Sequence, residues 1–192
     1  VRTTYRPTCA EIDLAALKHN VKAMRRFLFR GTDMLVVVKA DAYGHGMIEV
    51  TKTLEECGVR YFGVATMDEA MTLRAHGVVS PILVLGTLFD HEVEVALTNS
   101  ITMTLCNREL LESIAAKAAA LKVTAKVHIK IDTGMGRIGI WHADAVPFVE
   151  EAAKTPYLLI EGGYSHFSSA GRDKFYTEYQ LESLEKVSDQ LR

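Results

Sequence analysis

Short runs of aliphatic and β-branched residues alternate along this chain with longer stretches whose apolar positions recur every three or four residues. The first kind of run predicts strands and the second amphipathic helices. Asp13 fits an N-cap for a helix carried by Leu14, Leu17, Val21 and Met24 as far as Phe27. A strand over 34–39 then precedes a helix over 46–56. The same succession repeats at 61–65 and 67–75, 81–85 and 90–97, 101–105 and 108–121, 126–132 and 144–154, and 158–164 and 174–191. Six strand–helix units imply an α/β fold with a mostly parallel sheet.

Two architectures use such units. An open doubly wound sheet needs about this many strands, whereas a (β/α)8 barrel needs eight units and roughly 250 residues. Count alone favours the open sheet, but Val127-His128-Ile129-Lys130-Ile131-Asp132 alters the balance. Alternation sets His128, Lys130 and Asp132 on one face and the aliphatic residues on the other. A central strand of a doubly wound sheet is apolar on both faces. A face bearing His, Lys and Asp looks into a barrel interior or mouth, or else marks an edge strand with one wet side. The expected fold is therefore a (β/α)8 TIM-type barrel, incomplete, with about six βα units present.

Composition narrows the class of function. With 192 residues, 48% of them hydrophobic, the chain can bury the core of one domain. A formal charge of −2 without a basic stripe argues against nucleic-acid or membrane-surface binding. Cys9, Cys57 and Cys106 form no CxxC pair and fit free thiols in a reducing cytoplasm. Residues 1–9 contain no apolar signal core, and no run reaches the length of a membrane helix. The start at Val1 rather than methionine reads as a trimmed end. The seven histidines form no metal-ligand series, His91-Glu92 lacks a second histidine at HExxH spacing, and no GxSxG elbow or Walker loop occurs.

Three stretches carry chemistry. In Val36-Val37-Val38-Lys39 an ammonium ends an apolar strand. Desolvation there would lower the amine's pKa and make it a nucleophile towards an aldehyde; alternatively, Lys39 simply marks the exit into water. Gly134-Met135-Gly136-Arg137-Ile138-Gly139 matches GxGxxG after a strand, with Glu161 about 20 residues on, as in a dinucleotide site. The polar preceding strand and the late helix start, near Asp144, argue instead for a tight loop presenting Arg137 to a carboxylate or to solvent. Lys130 and Arg137 would lie close, so Asp132 or modification of the lysine must offset their repulsion. The third stretch, Glu161-Gly162-Gly163-Tyr164-Ser165-His166-Phe167, again ends a strand in polar groups, although a lone histidine is more often structural. Lys39, Arg137 and His166 all fall at or just beyond strand C-terminal ends, where barrel enzymes assemble their sites.

On VVVKADAYGHG, KIDTGMGRIG and EGGYSHFSSA, with EIDLAALKHN and FYTEYQLE, the sequence resembles the alanine racemases, enzymes built on a pyridoxal 5'-phosphate barrel. The likeness spans essentially the whole chain. It implies that Lys39 holds the cofactor covalently and serves as the catalytic base on the D-enantiomer side, and that Tyr43 bonds the cofactor phosphate. It further implies that Arg137 lies near the cofactor's phenolic oxygen and the substrate carboxylate. Lys130 matches a lysine that is N-carboxylated in many members, and Tyr164 and His166 match cofactor-pocket residues. Family members run to roughly twice this length, act on small amino acids as homodimers, and take their second base, a tyrosine, from a C-terminal β domain of the partner subunit. The resemblance thus casts residues 1–192 as an N-terminal cofactor-binding domain, inactive alone. A non-catalytic pyridoxal-phosphate barrel and, more distantly, a nucleotide-binding oxidoreductase stay open.

Overall fold

A computed structural model describes residues 8–192; part of the N-terminal stretch read above for a signal core lies outside them. Helix α1 (Leu14–Arg25) begins at Asp13, whose carboxylate accepts the Ala15 and Ala16 N–H groups. It stops before Phe27, which is exposed. Then come strand β1 (Leu35–Val37), a short turn α2 (Lys39–Gly44) and helix α3 (Met47–Glu56). The units β2 (Tyr61–Val64) with α4 (Met67–Ala75), β3 (Ile82–Val84) with α5 (Asp90–Thr98), and β4 (Thr102–Leu105) with α6 (Arg108–Leu121) follow the predicted order. Strand β5 (Ala125–Asp132) leads through the glycine loop to a two-residue strand β6 (Ile140–Trp141), and α7 (Ala145–Ala153) follows a single 3-10 turn. Strand β7 (Leu158–Tyr164) and helix α8 (Lys174–Gln190) end the described chain. Strand β6 was not predicted, because two residues carry no periodicity.

All the pairings are parallel, in the order β1-β2-β3-β4-β5-β7, with β6 added to the C-terminal end of β5. Sequential parallel neighbours with a helix between each pair make this part of a (β/α)8-type barrel rather than a doubly wound sheet, whose order reverses about a switch point. The inner strands are nearly dry: Phe62, Ile82, Met103 and Val127 are fully buried, together with Leu73, Ala96 and Ile114 of the covering helices. No residue of β1 or β7 reaches full burial, because each is paired on only one side among the described strands. The expected dry sheath around Lys39 is therefore partial, with Val36, Val37 and Lys39 half-buried.

A polar network closes the N-terminal end of the sheet. In the β5–β7 register Val127 faces Ile160 and His128 faces Gly162, so Glu161 is the extra residue of a bulge. Its carboxylate pairs with Lys126 at 3.1 Å and accepts the Thr102 hydroxyl at 3.1 Å and the Tyr61 hydroxyl at 3.4 Å. Tyr61 also lies 3.2 Å from His128 Nε2. Burial holds the His128 pKa below its ordinary value, against the opposing pull of Glu161. Glu161 is thus fully engaged in this network, not free to hold a ribose hydroxyl.

Arg74 fastens the α4–β3 and α5–β4 loops. Its guanidinium donates to the carbonyls of Val78 (2.9 Å), Ser80 (2.8 Å), Asn99 (3.2 Å) and Ser100 (3.2 Å). Removing it leaves these half-covered carbonyls without a charged donor. Arg74→Ala is expected to lower the unfolding free energy by about 2 kcal/mol; urea titration at constant m-value checks this, and a change below about 0.5 kcal/mol would contradict it.

Candidate active site

Residues Ala40 to Tyr43 all adopt left-handed backbone angles, with φ between 52° and 56°. For L-residues each such conformation costs about 1–2 kcal/mol, and it is ordinarily visited singly. Neighbouring groups hold the turn at both ends. The Ala42 N–H donates to Val38 O at 2.8 Å. Asp41 accepts the Met47 N–H on its side chain at 2.6 Å and the Gly46 N–H on its carbonyl at 2.9 Å, tying the turn to the start of α3. The Ala40 N–H donates to Glu69 Oε1 at 2.7 Å. The turn redirects the chain at the end of β1, placing Lys39 and Tyr43 along one cleft wall.

The cleft, of about 660 Å³, brings together the six residues to which the resemblance gives a role, Lys39, Tyr43, Lys130, Arg137, Tyr164 and His166. Apolar side chains of β1 and β3, including Leu35, Val37 and Leu83, line the same space, with Leu85 just beyond β3. Tyr43 sits at the rim, 62% exposed. The glycine loop brings Arg137 to the cleft without any helix N-terminus at the motif, since α7 begins only at Ala145. At Gly139, with φ of 125°, a Cβ would lie 2.9 Å from Asp132 N and 3.0 Å from Lys130 O. That glycine is required by close packing on β5. The Gly134 and Gly136 N–H groups donate to Asp132 at 2.9 and 3.0 Å. Burial opposes ionisation of Asp132, but these amides and Lys130 together keep its pKa below the usual value.

Positive charge is concentrated in the cleft. Lys130, only 3% exposed, lies with Nζ 4.4 Å from the Tyr164 ring centroid. Burial first, then the Arg137 charge, bring its pKa down from 10.5 to about 8, with Asp132 pulling the other way. Desolvation, then Lys130, Arg137 and Lys39, also hold His166 below its ordinary value. The Tyr164 hydroxyl is 2.7 Å from Thr104 Oγ1 and donates to Leu85 O at 3.3 Å. Burial raises the Tyr164 pKa, and the face of its ring meets Lys130.

The Lys130 shift has a measurable sign. Between pH 8 and 10.5 an unfolded lysine keeps its proton while the folded one has lost it, so stability rises with pH in that window. In carbon-dioxide-free buffer, urea titrations are expected to show the native protein gaining about 2 kcal/mol relative to Lys130→Met between pH 8 and 10. Parallel curves for the two proteins would contradict the assignment.

Two residues that tie the site together were not singled out from the sequence. Gln180, fully buried in α8, donates to His166 O at 3.0 Å and Thr133 Oγ1 at 3.2 Å. It accepts the Ser168 N–H at 2.9 Å and the Ser168 hydroxyl at 3.2 Å. Glu69, in the first turn of α4, accepts from both Ala40 and Ala65. A glutamine within a polar helix and a glutamate at N3 carry no distinguishing signal in one sequence.

The family model for the alanine racemase N-terminal domain matches residues 12–192. An alanine racemase of Halothermothrix orenii is 42% identical over 187 residues, 97% of this chain and 49% of the relative. The structure of the Clostridium difficile 630 alanine racemase in complex with cycloserine superposes with a TM-score of 0.94 at 39% identity, covering 98% of this chain and 52% of that one. A histidine racemase of Leuconostoc mesenteroides gives a TM-score of 0.84 at 29% identity over 91% of this chain and 47% of that one. The chain spans about half the length of the curated relatives it matches. A parallel barrel segment with Lys39, Lys130 and Arg137 around one cleft, matched along 12–192 at this level, means that the chain belongs to the alanine racemase family, within its N-terminal domain.

Proposed function

We propose that the whole protein interconverts L- and D-alanine with pyridoxal 5'-phosphate as cofactor, and that residues 1–192 form its cofactor-binding barrel domain. The observation that carries this reading is the convergence of one amine, Lys39, with two further cations and the Tyr43 hydroxyl on one cleft. That donor set suits the cofactor: an amine for its aldehyde, and positive charge and a hydroxyl for its phosphate and phenolic oxygen. A volume of about 660 Å³ lies within the usual range of small-molecule sites. When bound, pyridoxal 5'-phosphate supplies the carbonyl that Lys39 engages and an electron sink for charge at the substrate α-carbon.

This chain's residues would divide the remaining work. Lys39 Nζ, once free, exchanges the α-proton on the D-alanine side. Arg137 orients the substrate carboxylate and the cofactor oxygen. Tyr43 donates to the phosphate, while Tyr164 and His166 close the pocket. A Lys130 amine that is neutral above about pH 8 can add to carbon dioxide, forming an N–C bond and releasing a proton. The resulting carbamate would exchange Lys130–Arg137 repulsion for attraction and fix the guanidinium. Proton transfer on the opposite face needs a second base, assigned here to a tyrosine of the partner subunit in a homodimer of the whole protein. Residues 1–192 alone should therefore bind the cofactor without racemising alanine. A cytoplasmic location is part of the same proposal; among the described residues no helix is long and apolar enough to cross a membrane.

Nuclear magnetic resonance of L-alanine in deuterium oxide tests the reading on the protein expressed from its full gene. Loss of the α-proton signal together with appearance of D-alanine is the expected result. Cofactor binding with no α-proton exchange would replace it with a non-catalytic carrier, and exchange of histidine in preference to alanine would change the substrate.

A further inference from the structure

Helix α4 opens with Thr66-Met67-Asp68-Glu69, the spacing in which a glutamate at N3 ordinarily folds back onto the N–H of its own N-cap. Helix α5 does this, with Glu92 accepting the Phe89 N–H at 2.7 Å. In α4 only half of the device is present: Thr66 Oγ1 accepts the Glu69 N–H at 3.4 Å. The Glu69 carboxylate reaches elsewhere. Oε2 takes the N–H of Ala65, the residue after β2, at 2.7 Å. Oε1 crosses to the end of β1 and takes the N–H of Ala40, also at 2.7 Å.

Ala40 opens the left-handed turn, and its N–H belongs to the peptide that joins it to Lys39. A turn in that conformation persists only where its surroundings over-determine it. Asp41 secures its far end against α3. Glu69 secures the near end, where β1 has no second strand partner among the described residues to hold it. A charged acceptor shared between two short bonds is the strong form of such a tie.

We propose that Glu69 is a positioning residue for Lys39: its carboxylate pins the Lys39–Ala40 peptide to the end of β2 and so sets the direction in which the Lys39 amine enters the cleft. This rests on the reading of Lys39 as the cofactor anchor. Attachment joins Lys39 Nζ to the aldehyde carbon as C=N with loss of water, and it requires the amine to approach that carbon from one side. Without the tie the amine samples other directions. The equilibrium constant for attachment is expected to fall about tenfold in Glu69→Ala. Glu69→Gln should fall between, because its amide offers one acceptor oxygen to two N–H groups.

The protein expressed from its full gene, freed of cofactor, is titrated with pyridoxal 5'-phosphate. Binding is read by visible absorbance, and the linkage is fixed with borohydride and located by peptide mapping. Thr66→Ala is the control: it removes the bond from the Glu69 N–H that caps α4 but neither bond of the Glu69 carboxylate, so it should lower thermal stability but leave the attachment constant unchanged. Hydrogen exchange without cofactor gives a second reading, with the Ala40 amide exchanging faster in Glu69→Gln and not in Thr66→Ala. An attachment constant in both Glu69 variants within twofold of the parent overturns the proposal, and so does an equal loss in Thr66→Ala. Labelling of a lysine other than Lys39 in the parent protein overturns the function proposed above along with this inference. Labelling of Lys39 that is indifferent to residue 69 overturns the inference alone.

Discussion

Lys39→Ala, introduced into the protein expressed from its full gene, is expected to lose the covalently bound chromophore and at least about 10³-fold in kcat. Two losses combine. A positioned proton-transfer group contributes about 10²–10⁴-fold by itself, and the amine is also the covalent handle for the cofactor. None of the other cleft cations substitutes for it: Arg137 carries a guanidinium rather than a primary amine, and Lys130 lies against the Tyr164 ring. Added methylamine should restore part of the rate, because a free amine can enter the space the side chain leaves. Absorbance of the dialysed variant and polarimetry with both enantiomers measure the two losses separately. A variant that keeps the chromophore through dialysis would remove Lys39 from its assigned role.

Gln180→Ala is expected to be the most damaging single change to the fold around the site, lowering the unfolding free energy by about 3–4 kcal/mol. The side chain, carried on α8, is fully buried and uses both ends of its amide on Thr133, just after β5, and on the 166–168 segment after β7. Truncation leaves a cavity and frees the Ser168 N–H and the His166 carbonyl from their partner. Thr133 would keep its bond to Ser165 at 2.7 Å, so the end of β5 should stay ordered while the 165–168 segment loosens. Urea unfolding gives the magnitude, and histidine ring resonances report whether His166 still senses the nearby positive charges. A loss below about 1 kcal/mol would show that the network is water-filled rather than tight.

The unit order and the polar face of β5 were legible because both are periodic properties of a run of residues. Lys39, Arg137 and His166 could be found because each follows a strand, and a strand's C-terminal end has a meaning in a barrel. The turn after Lys39 was not legible. Ala40, Asp41, Ala42 and Tyr43 give no warning of four left-handed conformations in succession, which tertiary bonds to Glu69 and Asp41 impose against local preference. Gln180 was hidden for the opposite reason, since α8 is polar enough to read as a solvated surface. Glu161 fitted a dinucleotide site in spacing alone, a match already opposed by the polar preceding strand and the late helix start; its actual place was not legible, because a bulge that no sequence pattern announces sets it among Tyr61, Thr102 and Lys126.

The backbone from Ala40 to Tyr43 has the handedness that D-residues prefer. Replacing exposed Ala40 by D-alanine through chemical ligation would move that residue into its own preferred region while keeping its N–H and its bond to Glu69. The strain relieved there would be about 1 kcal/mol. A segment of mirror-image geometry thus lies directly beside the amine proposed to act on the D-enantiomer side of the substrate.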